Sequence, residues 1–353
     1  MKRLYFLILV LFSGATAFSQ TTNCTQVLRL ARTQYEQGRL HEMPALMEGC
    51  LSSSTGFTKE EKREAYRLLT LAYIYLEEPE KADESMLALL NTDHFFQINP
   101  SLDPAEFIAL YNKFRHEPLF WVTGKFGVNI TQPTIINNYY VASQAATAGK
   151  YGLKPTIQFF AAFEKDIFKK ITLAPEVGFV ARSYSYNNPS LIHPDETPAD
   201  PSKIAKQDFI INQSWVDLNV IVHYKLMNTQ NTKAYIGGGP GASYIIGSSN
   251  QASTVLGNAF TVTGGSVDDK KSYRQLVYSI NAVAGGKKKF GEIYVMAELR
   301  YQFGLANVVD PAVRTNQEVA FDYQGQYNDY RMSNISLSIG VAYPYFKPKK
   351  LIK

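Results

Sequence analysis

The stretch ISLSIGVAYPYF, residues 335–346, alternates between large apolar residues and small ones. A period of two predicts a β-strand with two unlike faces, because successive side chains point to opposite sides of a sheet. One face carries Ile335, Leu337, Ile339, Val341, Tyr343 and Tyr345. These large residues point either into the core of a soluble protein or, in an outer-membrane barrel, toward lipid.

The same alternation recurs along the second two thirds of the chain, where it predicts eight strands. They span 119–131, 153–165, 170–184, 208–225, 233–246, 273–286, 291–304 and 331–346. The connections after the first, third, fifth and seventh strands are long, and those after the second, fourth and sixth are short. Outer-membrane barrels have short periplasmic turns and long extracellular loops, so this alternation favours a membrane barrel over a soluble sandwich.

The polar faces of these strands carry charges in mid-strand, at Lys125, Glu176, Arg182, Asp217, Glu298 and Arg300. In a soluble sheet this face is wet, whereas in a membrane barrel it is the lumen. Eight strands enclose a space that side chains can fill, and unpaired charges there are costly. Because the cations and anions balance, we predict paired networks and a filled interior that is not a pore.

The chain before the strands, residues 20–116, has helical periodicity. A first helical hairpin turns at Gly38, and a second begins at Thr58, which forms a capping box with Glu61. A last helix is predicted with Asp103 as N-cap and Pro104 at its first position. The layout, with a period of about 34 residues, resembles a tetratricopeptide repeat. Such a domain is either a spacer or a docking surface for a partner protein.

The first residues predict export. Lys2 and Arg3 precede an apolar run at 4–12, and small residues follow up to Ser19, which is typical of a signal peptide over 1–19. The alternative, a membrane anchor, needs a longer apolar run. Export leads to an oxidising compartment, where cysteines can form disulfides.

Two cysteines lie at the open end of the first predicted hairpin. Cys24 precedes the turn by about fourteen residues and Cys50 follows it by about twelve, so antiparallel helices bring both to one level. We predict a disulfide between them, the alternative being two buried thiols.

Composition adds little chemistry. The net charge of +5 is too diffuse to indicate nucleic-acid binding, and the aromatic content of 13% suits a barrel with aromatic belts.

His193, in a long loop near Asp195 and Glu196, is the one candidate for lipid A modification, and a solvated loop histidine is the favoured interpretation. The cysteine and histidine spacing predicts no metal site, and we expect no cofactor. The run Lys287–Lys289 is predicted to be a solvated turn, with contact to lipid headgroups or an acidic partner as the alternative.

Residues 119–346 resemble the small outer-membrane barrels of the OmpA/OmpX type, and more closely the PorT-like barrels of Bacteroidota. The features that carry this resemblance are the amphipathic strands, the glycine-rich stretch AYIGGGPGASYII, and the aromatic end YPYF with its basic tail. The resemblance implies insertion by the barrel-assembly machinery, which recognises an aromatic terminal strand, here Tyr343, Tyr345 and Phe346. One role that the resemblance implies is in type IX secretion or gliding.

The sequence thus predicts an α+β multidomain protein of the outer membrane of a Gram-negative bacterium. We expect a signal peptide at 1–19, a periplasmic tetratricopeptide-like helical domain at 20–116, an eight-stranded antiparallel up-and-down transmembrane barrel at 117–346, and a periplasmic basic tail at 347–353. The expected function is a non-enzymatic anchor for the helical domain, which binds a protein partner within an envelope complex. The alternatives are a lipid A-modifying enzyme and a small pore.

Overall fold

The computed structural model describes residues 24–137, 150–191, 205–256, 260–313 and 328–351. They form two compact units: a helical unit up to Pro118 that also includes the residues from Phe346 onward, and a strand unit from Leu119 to Tyr345. The predicted signal peptide lies outside the described residues. Within the described ranges, no helix has both the length and the apolar character needed to cross a membrane.

The helical unit contains five described α-helices and a short 3-10 helix at Leu40–Glu42. The α-helices are α1 (Cys24–Glu36), α2 (Met43–Ser52), α3 (Lys59–Tyr75), α4 (Pro79–Thr92) and α5 (Ala105–Tyr111). Gly38 follows α1 with a φ of +77°, a left-handed conformation in which glycine lacks the strain of other residues. Ala31, Met43 and Met47 are fully buried between the first three helices, while Met86 and Phe107 anchor a second apolar cluster.

Two predicted helix starts have different outcomes. The capping box at α3 is confirmed, since the Glu61 N–H donates to the Thr58 hydroxyl and the Thr58 N–H donates to the Glu61 carboxylate. The prediction of Asp103 as the N-cap of α5 is wrong, because Pro104 occupies that position without a side-chain cap. The Asp103 carboxylate instead accepts from the Asn99 N–H and from the Arg67 guanidinium, both at 2.6 Å.

The C-terminal residues pack within the helical unit, although the sequence had set 347–353 apart as a basic tail. The Phe346 ring stacks on His94, with ring centroids 5.2 Å apart, and meets the edge of Phe95 at 5.1 Å. Lys350 forms an ion pair with Asp83 of α4. The Arg115 N–H donates to the Lys349 carbonyl at 2.9 Å, so backbone pairing adds to these side-chain contacts.

The strand unit contains nine described strands rather than the eight predicted. They are β1 (Phe120–Asn137), β2 (Lys150–Phe168), β3 (Ile171–Leu191), β4 (Ala205–Asn228), β5 (Thr232–Leu256), β6 (Phe260–Asp268), β7 (Leu276–Phe290), β8 (Ile293–Gly304) and β9 (Asp329–Tyr345). All pairings are antiparallel, in the order β4-β3-β2-β1-β9-β8-β7-β5-β6 with a further pairing of β4 to β5. The additional strand, β6, lies in a segment predicted as a long connection and pairs with Ser249–Leu256 of β5.

The strands other than β6 each have at least two hydrogen-bonded neighbours, and β5 has three, which gives a large antiparallel barrel-like sheet. Burial alternates along them, most regularly in β1, because one face looks into the sheet's interior and the other looks outward. In β9 the outward residues are between 43% and 62% exposed, and they are Ile335, Leu337, Ile339, Val341, Tyr343 and Tyr345. Ser336 and Ser338 are buried on the inward face, so the large residues do not form the core.

Candidate functional site

The interior of the barrel-like sheet contains a cluster of four charged side chains from three strands. Lys125 of β1 donates to Glu176 of β3 at 2.6 Å and to Glu298 of β8 at 3.0 Å. Arg300, also on β8, donates through Nη2 to Glu176 at 2.9 Å and to Glu298 at 2.8 Å. We call these four residues the charge cluster. Its two cations and two anions balance, so it has no net charge.

Neutral groups complete the hydrogen bonding of the charge cluster. The Tyr235 hydroxyl donates to Oε2 of Glu298 at 2.8 Å, and the Asn219 amide donates to Oε1 of Glu176 at 3.0 Å. All four carboxylate oxygens therefore accept at least one hydrogen bond. Complete pairing of this kind offsets the large desolvation cost of burying ions.

The remaining two predicted charges form a separate pair. Nη2 of Arg182 donates to both carboxylate oxygens of Asp217, at 2.9 and 3.0 Å, and its guanidinium lies 4.8 Å from the ring centroid of Trp215. Gln302 donates to Asp217 at 3.0 Å and accepts from Asn334 at 2.7 Å. The six predicted charges thus form two networks inside the sheet.

A third interior ion pair was not predicted. Lys287 of β7 donates to Glu164 of β2 at 2.5 Å, and both side chains are 5% exposed. The sequence prediction had placed Lys287 in a solvated turn, which is wrong because β7 continues to Phe290. The signal was available, since Lys287 continues the alternation of the inward residues Asn281 and Val283.

Aromatic residues fill the interior on the side of the long connections. The hydroxyls of Tyr184 and Tyr330 are 2.5 Å apart, and the Tyr151 ring packs against both rings. Around them lie further buried residues of the same apolar cluster, namely Tyr186, Phe209, Ile211, Trp215, Ile245 and Met332. We call this group the aromatic layer. Strand alternation did not predict this layer, because its residues occupy positions where the alternation is less regular.

Two cavities between described residues of the interior are small. A cavity of about 30 Å³ lies between Trp121, Glu164, His223 and Lys287, and another of about 10 Å³ lies beside Arg182 and Gln302. Spaces of this size hold one or two water molecules. Residues of the ion pairs and of the aromatic layer line these two cavities.

The other predicted site residues lie elsewhere. Cys24 and Cys50 are joined by a disulfide that connects α1 to α2. His193 lies outside the described residues, while His223 is buried with its ring centroid 4.3 Å from that of Tyr235. Within the described part of the chain, no group of three or more histidine, cysteine, aspartate or glutamate residues is arranged to hold a metal ion.

Several solved structures are similar to this chain at low sequence identity. Among solved structures, Neisserial surface protein A is 13% identical, with 64% of this chain and 97% of that chain covered and a TM-score of 0.29. Ail of Yersinia pestis is 9% identical, with 64% of this chain and 99% of that chain covered and a TM-score of 0.26. The protease OmpT of Escherichia coli is also 9% identical, with 64% of this chain and 97% of that chain covered and a TM-score of 0.32. A search of the curated proteins finds no match.

The family assignment rests on the similarity of this sequence to a known protein family. The family described as "Outer membrane protein beta-barrel domain" matches residues 114–310, which is more than half of the chain. Its match covers most of the barrel-like sheet, whose outward faces are apolar and whose interior is charged and paired. The protein therefore belongs to the outer membrane protein beta-barrel domain family.

Proposed function

We propose that this outer-membrane protein is a non-enzymatic anchor, in which a closed eight-stranded transmembrane barrel holds a periplasmic helical unit that binds another protein. The observation that carries the proposal is the filled interior. The charge cluster, the Arg182–Asp217 pair and the aromatic layer occupy the space through which a solute would pass.

The interior contacts also connect distant strands, which favours a rigid barrel. Lys125 and Arg300 bridge β1, β3 and β8, and the Lys287–Glu164 pair bridges β7 and β2. Opening a passage would separate these partners and break the hydrogen bonds that join the strands across the interior. A barrel of this kind suits mechanical anchoring better than conduction.

The direction of the strands supports a periplasmic helical unit. β1 begins and β9 ends at the same rim as the short turns between β2 and β3, between β4 and β5, and between β7 and β8. Short turns of outer-membrane barrels face the periplasm. The chain segments on both sides of the barrel would then leave it toward the periplasm. An aromatic terminal strand with Tyr343 and Tyr345 also fits insertion by the barrel-assembly machinery.

The helical unit has features expected of a binding module. Its hairpins resemble tetratricopeptide repeats, and its disulfide suits an oxidising compartment. Tyr75 is 50% exposed, with its ring centroid 6.4 Å from that of Tyr35, and exposed aromatic residues often anchor protein interfaces. A partner in type IX secretion, gliding or outer-membrane biogenesis would agree with the PorT-like resemblance.

Co-purification from gently solubilised membranes tests the anchor. The full-length protein should recover a stable partner, and Tyr75→Glu should lose it, whereas Leu30→Glu, an equally exposed site on α1, serves as the matched control. Repeated recovery of the protein as a lone monomer would contradict the proposal.

Two further measurements address the alternatives. In a planar bilayer the purified protein should show no steady ion conductance, and a sustained current would overturn the filled interior. His193→Ala should leave the lipid A of the host unchanged, since we propose that the protein has no catalytic role.

A further inference from the structure

The three short turns give one rim of the barrel a strong excess of positive charge. We define the short-turn rim as residues 164–170, 225–233 and 287–292, which join β2 to β3, β4 to β5 and β7 to β8. These segments contain eight lysines and three carboxylates. The short-turn rim therefore carries a surplus of five positive charges.

Only part of this charge is neutralised within the protein. Lys287 is paired with Glu164 in the interior, and Lys225 is paired with Asp166 at 2.7 Å. Lys165, Lys169, Lys170 and Lys288 are exposed, and none of the four has an ion-pair partner among the described residues. The rim therefore presents uncompensated ammonium groups on its outer surface.

Each of the three turns also has a large exposed apolar side chain next to a lysine. Only Lys169 is one of the four lysines named above, and the other two are Lys225 and Lys289. Phe168 is 66% exposed, Leu226 is 61% exposed and Phe290 is 57% exposed, and each is next to a lysine in sequence. Three separate turns thus repeat the same combination. An exposed apolar side chain beside an ammonium group fits the boundary between acyl chains and phosphates, where lysine keeps its stem in apolar surroundings and its charge among headgroups.

From these observations we infer that the short-turn rim binds the headgroups of anionic phospholipids. The phosphate groups accept from the exposed lysines, while the apolar side chains enter the adjoining acyl region. Continuity favours lipid over an acidic protein, because the apolar residues of the rim extend the lipid-facing side of strands such as β8, where Val295 and Leu299 are exposed. This inference goes beyond the anchoring function and does not depend on a protein partner.

The experiment compares lipid preference for three full-length proteins. We would reconstitute the protein in bilayers of phosphatidylcholine containing spin-labelled phosphatidylglycerol or spin-labelled phosphatidylcholine, and measure by electron spin resonance the fraction of each label held at the protein surface. The variant is Lys169→Gln, Lys170→Gln and Lys288→Gln. The matched control is Lys150→Gln, Lys154→Gln and Lys271→Gln, which removes three lysines at the opposite end of the strands. Heat-modifiable gel migration checks that all three proteins are folded.

The native protein and the control should prefer phosphatidylglycerol, by a factor on the order of five for each engaged lysine at low salt. The rim variant should lose most of this preference. Equal retention of both labels by the native protein would overturn the inference, and so would an equal loss of preference in the rim variant and the control. Absence of a lipid preference combined with binding of polyglutamate to the native protein but not to the rim variant would also overturn it, in favour of an acidic protein partner.

Discussion

At the scale of single residues, the central feature is the balance of charges inside the barrel. The side chains of Lys125, Glu176, Glu298 and Arg300 are at most 6% exposed, yet every carboxylate oxygen has a donor. A buried pair of this kind contributes little net stability compared with well-packed apolar residues. Removal of one charged side chain is strongly destabilising, because its partners stay buried without an opposite charge.

The first prediction concerns Arg300→Met. This change leaves Glu176 and Glu298 with Lys125 as their single cationic partner, so the free energy of unfolding should fall by about 3–5 kcal/mol. Urea unfolding of the barrel in lipid or detergent, followed by tryptophan fluorescence, would measure the change. Lys150→Met, at an exposed strand end, should alter the same quantity by less than about 0.5 kcal/mol. An Arg300→Met variant as stable as the control would argue against the charge cluster as a structural element.

Sequence alternation predicts the face on which a residue lies, but not its partner. The six charges that the sequence assigned to the lumen are all buried, because a period of two fixes the side of the sheet. Their division into a cluster of four and a separate pair depends on the stagger between strands, which local sequence does not encode. The Lys287–Glu164 pair also depends on how far β7 extends.

At the scale of secondary-structure elements, the start of α3 is held by a contact from another helix. The Glu61 carboxylate accepts from the Thr58 N–H at 2.9 Å and from the Thr25 hydroxyl at 2.6 Å. The hydrogen bond from Thr25, followed by that from the Thr58 backbone, lowers the pKa of Glu61. The ionised form is therefore favoured in the folded helical unit.

The second prediction follows from that pKa. Because the pKa is lower in the folded state than in the unfolded state, the contribution to stability is present at neutral pH and is lost as the pH falls below about 4. The protection of the first amides of α3 from hydrogen exchange, relative to the intrinsic rate at each pH, should fall toward acid more in the native protein than in Glu61→Gln, which does not titrate. Parallel acid profiles for the two proteins would exclude a role for Glu61 ionisation.

The third prediction concerns the disulfide between α1 and α2. It closes a loop with a sequence separation of 26, and its removal by Cys24→Ser with Cys50→Ser should cost about 3 kcal/mol through the greater entropy of the unfolded helical unit. Hydrogen exchange of the full-length protein should show faster opening of α1 and α2, with no change in the barrel strands. Reduction of the native protein should reproduce the effect, and identical exchange before and after reduction would contradict it.

Strand ends were the least predictable elements. The predicted first strand ended at 131 and the predicted fifth at 246, whereas β1 continues to Asn137 and β5 continues to Leu256. Beyond the apolar band the residues become polar on both faces, as in the SSNQAST stretch of β5, so the alternation fades while backbone pairing with β4 and β6 continues. The same loss of contrast explains why β6 was not predicted.

At the scale of the whole molecule, one of the two compact units contains residues from both ends of the chain. The helical unit is composed of residues before Pro118 and residues after Tyr345, and the strand unit lies between them in sequence. Amphipathic periodicity predicted both kinds of element, but it carried no information about the residues after β9. Phe346 was predicted to be the last residue of the final strand, but its ring stacks on His94 instead.

The fourth prediction concerns Phe346→Ala. Loss of the contacts with His94 and Phe95 should destabilise the C-terminal part of the helical unit by about 1–3 kcal/mol, while the barrel keeps its stability. Hydrogen exchange near residues 93–98 and along β9 would separate the two effects. Lys347→Ala, an exposed neighbour in the same tail, is the control and should change neither. Faster exchange in β9 alone would indicate that Phe346 belongs to the barrel.

The position of Phe346 and Lys350 also sets a temporal order for biogenesis. Both residues emerge from the ribosome after every barrel strand, yet they supply contacts to His94 and Asp83, which were synthesised long before. A chain that stalls during synthesis or is cleaved before β9 ends cannot cover these sites. The helical unit would then stay incomplete and open to proteases until the last residues of the chain arrive.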